Sequence, residues 1–191
     1  MKYWKMTFLA ASSVGLLGLA GGSSLGTAFG DSHEREGRWF GRSAQDVTPV
    51  DDPSYATECG SCHMAYQPGW LPERSWRKLM NGLDDHFGDN AELDPQTQAH
   101  IVAYLATRAA GKDTAYRSQR MAAAIPASET PIRITGTRYF QRKHHELSAR
   151  MVVNNPEVGS FAMCDRCHGD AARGVFDEDG VRIPGVRNWD D

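Results

Sequence analysis

Cysteine is scarce in this chain, and so are long apolar runs and any excess of one charge. Only 4 cysteines occur in 191 residues, and all fall inside two copies of one pentapeptide, so none is left for a disulfide. Lys and Arg number 21 against 24 Asp and Glu, a formal charge of −3. That near-balance lacks the basic footprint of a nucleic-acid binder. The one extended apolar stretch, Met6 to Ala20, is diluted with Gly and Ser and short for a bilayer span. No internal repeat extends beyond the pentapeptide. The acidic run Asp177-Glu178-Asp179 has no calcium-loop spacing and reads as a surface turn.

The pentapeptides carry the most information. They are Cys59-Gly60-Ser61-Cys62-His63 and Cys164-Asp165-Arg166-Cys167-His168. Two cysteines three positions apart on a helical turn project from the same side and can reach the edge of one flat macrocycle. The adjoining histidine then addresses the metal at its centre, usually with a second group orienting its other nitrogen. Each copy therefore reads as a c-type haem attachment site, giving two covalently attached haem c groups. A pair of redox or zinc Cys-x-x-Cys motifs, each followed by His, is the competing reading. Two complete copies favour haem.

The N-terminus supports that choice. Lys2 and Lys5 precede the apolar run, and small residues follow, with Gly26-Thr27-Ala28 or Ala28-Phe29-Gly30 as cleavage sites. This is the pattern of a cleaved secretory signal peptide over residues 1–30, which implies a periplasmic protein, the compartment of covalent haem attachment. Cleavage removes two lysines and no acid, taking the formal charge to −5.

The remaining chain divides into a flexible lead-in at 31–51, a first haem c domain at 52–110, a connector at 111–132 and a second haem c domain at 133–191. The fold class expected is mainly α, with two small one-haem modules rather than one interwoven core. Neither segment is long enough to bury a generous core alone, so each haem supplies apolar interior and the apoprotein is expected to be largely unfolded. In the first module Pro72-Glu73-Arg74 opens a helix with Trp76, Leu79, Met80 and Leu83 on one face, running to about Gly88. Asp94-Pro95 opens another, with Ile101, Val102, Tyr104 and Leu105 inward. This resembles a class I cytochrome c. The second module is irregular, with one helix at 137–151.

Each iron needs a sixth ligand or an open site. For the first haem, Met64 adjoins His63 and cannot cross the ring, Met80 suits a core role, and His100 shares a face with Gln96 and looks solvated. His86, at a fraying helix end, is favoured over Met80. For the second, Phe140, His144, Leu147 and Met151 form one helical stripe, so His144 faces the haem. His145 faces water, Met151 is a lesser candidate, and Met163 is badly placed.

Several stretches beyond the pentapeptides carry a resemblance: Cys59 to Gly69, Leu83 to Ala91, and Phe140-Gln141-Arg142-Lys143-His144 followed by Cys164 to His168. From about residue 50 onward the chain resembles the bacterial DHC-type dihaem cytochromes c. The resemblance implies two bis-histidine haems, His63 with His86 and His168 with His144. It also implies electron transfer with exported or membrane cytochromes, among them an oxygen-binding sphaeroides haem protein and a membrane b-type cytochrome. The doubled histidine leaves His144 and His145 both open as the distal ligand.

Two strong ligands on each iron predict an electron carrier rather than an enzyme, with no small-molecule substrate. A dihaem peroxidase or small-molecule reductase with one open iron is the alternative, but no spare His, Glu and Arg cluster stands out. A redox or gas sensor predicts a signalling domain, and no segment reads as one. Arg133, Arg138, Arg142, Lys143 and Arg150 against Glu146 alone suggest a solvated face, a set of haem-propionate partners or a docking patch.

Overall fold

A computed structural model describes residues 45–187. The expected signal peptide and the lead-in up to residue 44 lie outside the described residues. Among the described residues the chain is helical without a β-ladder; strand-like pairing is limited to the isolated bridges His86–Asp89, Ala110–Asp113 and His168–Val181. Six α-helices are joined by turns and short 3₁₀ segments: α1 Pro53–Cys59, α2 Glu73–Met80, α3 Pro95–Arg108, α4 Tyr116–Ala124, α5 Arg138–Lys143 and α6 Cys164–Cys167.

Local chemistry explains the helix starts. Asp52 accepts from the Tyr55 amide at 2.8 Å and Pro53 follows as the first residue of α1. Asp94 accepts from the amides of Gln96 and Thr97, with Pro95 next, as the Asp-Pro pair predicts for α3. Helix α2 buries Trp76 and Met80 and packs mainly on α3, which buries Ile101, Tyr104 and Leu105. Gln98 donates to the Met80 carbonyl at 2.7 Å and ties the two helices together. The α2 pattern was expected to run on toward Gly88, but the helix stops at Met80. After Asn81 and Gly82 the chain tightens into a 3₁₀ turn at Leu83–Asp85.

Packing runs across the segment boundaries expected from the sequence. Residues 111–132, read as a connector, contain α4, which buries Met121 and Ser118 against the Pro68–Trp70 turn and α5. The end of the lead-in is tucked inside: Val47 is fully buried. Asp46 and Val47 donate to the Gly174 carbonyl at 2.8 and 3.2 Å, and Phe176 donates from its amide to Asp46 at 2.6 Å. Gly174 has φ +73, and a Cβ there would collide with the Val47 carbonyl, so only glycine permits this clasp. One hydrophobic cluster joins Val47, Trp76, Leu105 and Met121 to Tyr139, with Ile134 and Phe176 against it. Two segments too short for separate cores have pooled their apolar side chains.

Helix α5 is also shorter than the expected 137–151. Thr137 caps it at the Phe140 amide, but it ends at Lys143 and residues 144–154 continue as turns. Phe140 and His144, one turn apart, keep the predicted common face; Leu147 and Met151 reach their places through irregular backbone.

Candidate functional site

The two pentapeptides sit at helix ends. Cys59 is the last residue of α1, and Gly60 through His63 form the following turn. A Cβ at Gly60 would meet the Ala56 carbonyl, which favours glycine at this bend. The His63 ring shares its Nδ1 with the Met64 carbonyl at 2.7 Å, leaving Nε2 as its free nitrogen. Tyr66 stacks on the same imidazole, centroids 4.5 Å apart and planes 16° from parallel.

His86 faces His63 from a tight turn. Its amide donates to the Asp89 carbonyl at 2.7 Å, Phe87 has φ +62, and Gly88 donates to Asp85 at 2.9 Å. The two ring centroids are 6.4 Å apart. Phe87 is 41% exposed, and the Arg133 guanidinium lies 3.6 Å over its ring. Of the other candidates, Met80 is 1% exposed within the α2–α3 core. His100 lies at the surface, its Nε2 2.7 Å from Asp52.

At the second pentapeptide Cys164 and Cys167 are the ends of α6 and His168 follows, its amide donating to the Cys164 carbonyl at 2.8 Å. The His168 ring sits 5.2 Å from Phe176 and 6.2 Å from the His144 ring. His144 is firmly held: Nδ1 is 2.9 Å from the Phe140 carbonyl and Phe140 stacks on it at 3.8 Å. Phe161 adds an edge contact. His145 is exposed and turns instead to the Arg142 carbonyl and Glu146. Met163 precedes α6 as its N-cap residue.

His144, His168, Cys164 and Cys167 share a cleft of about 1190 Å³, counting the space at its mouth. Trp70, Tyr66 and Phe176 also line it. Arg117 reaches it from α4, its Nε 2.9 Å from Asp46 and its Nη1 donating to the Tyr139 hydroxyl at 3.3 Å.

Burial sets the protonation of these groups. It pushes the Cys164 thiol up to about 12 and the Cys59 thiol up to about 11, and raises Cys167 as well. Such sulfurs are poorly stabilised as thiolates, whereas a thioether carries no charge to desolvate. Burial takes His168 down to about 4, with His144 and Arg117 pushing the same way. It also lowers His144 and His86, so three of the four imidazoles are held neutral with a lone pair available. The His168 Nδ1 is buried and has no hydrogen-bond partner among the described residues.

The residues fit a haem at each position. A metal–imidazole bond of about 2.0–2.1 Å puts two rings on opposite sides of one ion with centroids ~6.3 Å apart. The separations of 6.4 and 6.2 Å match that value at both sites. In each case the paired cysteines lie beside one of the two histidines. Among the described residues no three His, Cys, Asp or Glu side chains converge on one point as an all-protein metal site would require.

All eight residues singled out from the sequence therefore fall into two clusters: Cys59, Cys62, His63 and His86 in one, Cys164, Cys167, His168 and His144 in the other. Sequence reasoning missed Tyr66, Arg117 and Phe161. Tyr66 lies only three positions from His63 and was open to notice. Arg117 lay in the presumed connector, and nothing local marks it.

Residues 55–176 match the family described as DHC, dihaem cytochrome c. Among solved structures, the chain is similar to the diheme cytochrome type c of Shewanella baltica OS155. The identity is 46%, the TM-score 0.60, and the match covers 72% of this chain and 97% of that one. A diheme cytochrome c from Rhodobacter sphaeroides shows 40% identity and a TM-score of 0.60, covering 68% of this chain and all of that one. DHC purified from Rhodobacter sphaeroides shows 40% identity and a TM-score of 0.53, covering 67% and 99%. No curated protein matches the chain.

Proposed function

The chain belongs to the dihaem cytochrome c family, and from that premise we propose that it is an exported one-electron carrier with two bis-histidine haems, His63 paired with His86 and His168 with His144. Family membership brings two covalently bound c-type haems and a haem-based electron-transfer role. When bound, each haem supplies a one-electron couple at its iron.

The observation that carries the ligation reading is the pair of His–His separations, 6.4 and 6.2 Å, each across a gap of the size one ion needs. The protein's own groups then do four things. The cysteines anchor the macrocycle edges. The imidazoles of His63 and His144 are oriented by backbone carbonyls that occupy Nδ1. Phe140, Phe161, Trp70 and Phe176 exclude water from the second site. Arg117 places a half-buried cation, paired with Asp46, at the second cleft, where it could also meet a haem propionate. Two ligands per iron leave no position for peroxide or another substrate, which sets this reading against an enzyme with an open haem.

We assign export to residues 1–30 acting as a cleaved leader. Among the described residues no helix is long and apolar enough to cross a membrane. The partner class is another exported or membrane cytochrome. A membrane b-type cytochrome and an oxygen-binding cytochrome like the sphaeroides haem protein are the specific expectations.

One preparation tests the proposal. Purified holoprotein should have the mass of the chain from about residue 31 plus two haems. It should show two low-spin haems by EPR, no methionine–iron charge-transfer band, and a reduced spectrum indifferent to carbon monoxide. A high-spin fraction that binds the gas would mean one iron is open and would replace the carrier with an enzyme.

A further inference from the structure

We propose that Tyr66 is the coupling residue between the two haem sites, the side chain through which a ligating histidine of the first site meets the attachment helix of the second. This rests on the two-haem, bis-histidine reading and adds the route between the haems.

The Tyr66 ring lies nearly parallel on His63, centroids 4.5 Å apart. Its hydroxyl donates to the Ala162 carbonyl at 2.7 Å, a bond spanning 96 positions of sequence. Ala162 is two residues before Cys164, where α6 begins, and its own amide is fixed by Ser160 at 3.1 Å. The same tyrosine lines the second cleft. One side chain thus touches the proximal histidine of one site and the backbone that presents the first cysteine of the other.

The segment around it is built to hold that position. The Tyr55 hydroxyl donates to the Tyr66 carbonyl at 2.7 Å. The next residue, Gln67, is fully buried, donates to the Ala171 carbonyl at 2.6 Å and accepts from the Trp70 indole at 3.0 Å. Residues 66 and 67 therefore grip the second site on both sides of its pentapeptide, at 162 and at 171. A packing residue needs to fill space, but it does not need a stacked face on one ligand and a hydrogen bond at the other site.

Electrons tunnel more readily through stacked rings and hydrogen bonds than across open gaps, and a firmly held, half-buried path changes little as charge moves along it. One electron leaves the haem that is oxidised and reduces the other. Tyr66 itself is neither oxidised nor reduced and keeps its phenolic hydrogen on Ala162. No further reactant is required.

The test compares holoprotein carrying Tyr66→Phe and Tyr66→Leu with the unmodified protein, following inter-haem equilibration after flash photoreduction. Tyr66→Phe keeps the stack and removes the hydrogen bond, and should slow equilibration several-fold. Tyr66→Leu removes both and should slow it further, with the low-spin spectra of both haems retained. A rate unchanged in both variants would overturn the proposal and leave Tyr66 as packing. Should Tyr66→Leu fail to take up haem, Tyr66→Phe alone decides, because it preserves the ring. Unmodified protein lacking two low-spin haems would instead remove the bis-histidine reading, and this inference with it.

Discussion

His86 and His144 meet their partner histidines with unequal support. His144 has its Nδ1 on the Phe140 carbonyl, a phenyl ring stacked 3.8 Å away and a second ring edge-on. His86 stands on a turn whose next residue is left-handed, beside an exposed phenylalanine, and among the described residues no hydrogen bond holds its ring. Replacing either by alanine should open one iron, giving a high-spin haem that binds carbon monoxide. The costs should differ. His144→Ala leaves a hole among aromatic rings and should lower stability by about 2 kcal/mol or more, whereas His86→Ala should cost about half that or less. Thermal denaturation of the two holoproteins checks the order, and equal losses would contradict it. The sequence already showed which way these side chains turn: the Phe140 and His144 spacing put one histidine inward and left His145 out. Arg117 was not legible, because its partners Asp46 and Tyr139 are 71 and 22 positions away in sequence.

Among the secondary-structure elements, the starts of α2, α3 and α5 were legible, whereas the ends of α2 and α5, and α4 altogether, were not. Asp94-Pro95 announces α3 because a carboxylate beside a proline satisfies the first free amides locally, and Asp52-Pro53, not read from the sequence, starts α1 in the same way. The ends of α2 and α5 are decided by what the chain must reach next, the turn that presents His86 and the wall of the second cleft, and periodicity carries no record of that. The Asp94 cap gives a pH test. Hydrogen bonds from Thr97, then from the Gln96 amide, hold its carboxyl below the usual value. A group whose folded value is depressed stabilises the fold above its unfolded value near 3.9 and loses that contribution as pH falls through the folded one. Asp94→Ala should therefore lower the melting temperature at neutral pH. The gap to the unmodified protein should close as pH drops below about 4. A gap independent of pH would show that the carboxylate is not what matters.

For the whole molecule, the helical class and the two covalent haems were legible, but the shared core was not. Val47, Met121, Tyr139 and Phe176 pack together from segments that composition had separated, and only the folded chain reveals such pairings. Charge is also distributed at this scale. The protein is acidic overall, yet Arg133, Arg138, Arg142, Lys143 and Arg150 are exposed on the stretch around α5, beside the His86 turn and the second cleft. Such a face on an acidic molecule steers partners of opposite sign. Electron transfer to an acidic cytochrome should slow as ionic strength rises, on a scale set by a screening length of roughly 8–10 Å near physiological salt. A rate indifferent to salt would exclude electrostatic docking there.

The clasp of Asp46 and Val47 on Gly174 also sets an order of events during biogenesis. The hydrogen bond from Phe176 to Asp46 closes a loop of 130 positions, joining the start of the described residues to near their end. On the export proposed above, a chain threaded N-terminus first presents Asp46 early and must wait for Gly174 before that loop can close. For most of that wait the first pentapeptide has emerged on a chain that has not yet shut around it. The latch can thus close only after both pentapeptides have emerged, and its lateness keeps Cys59 and Cys62 within reach for haem attachment.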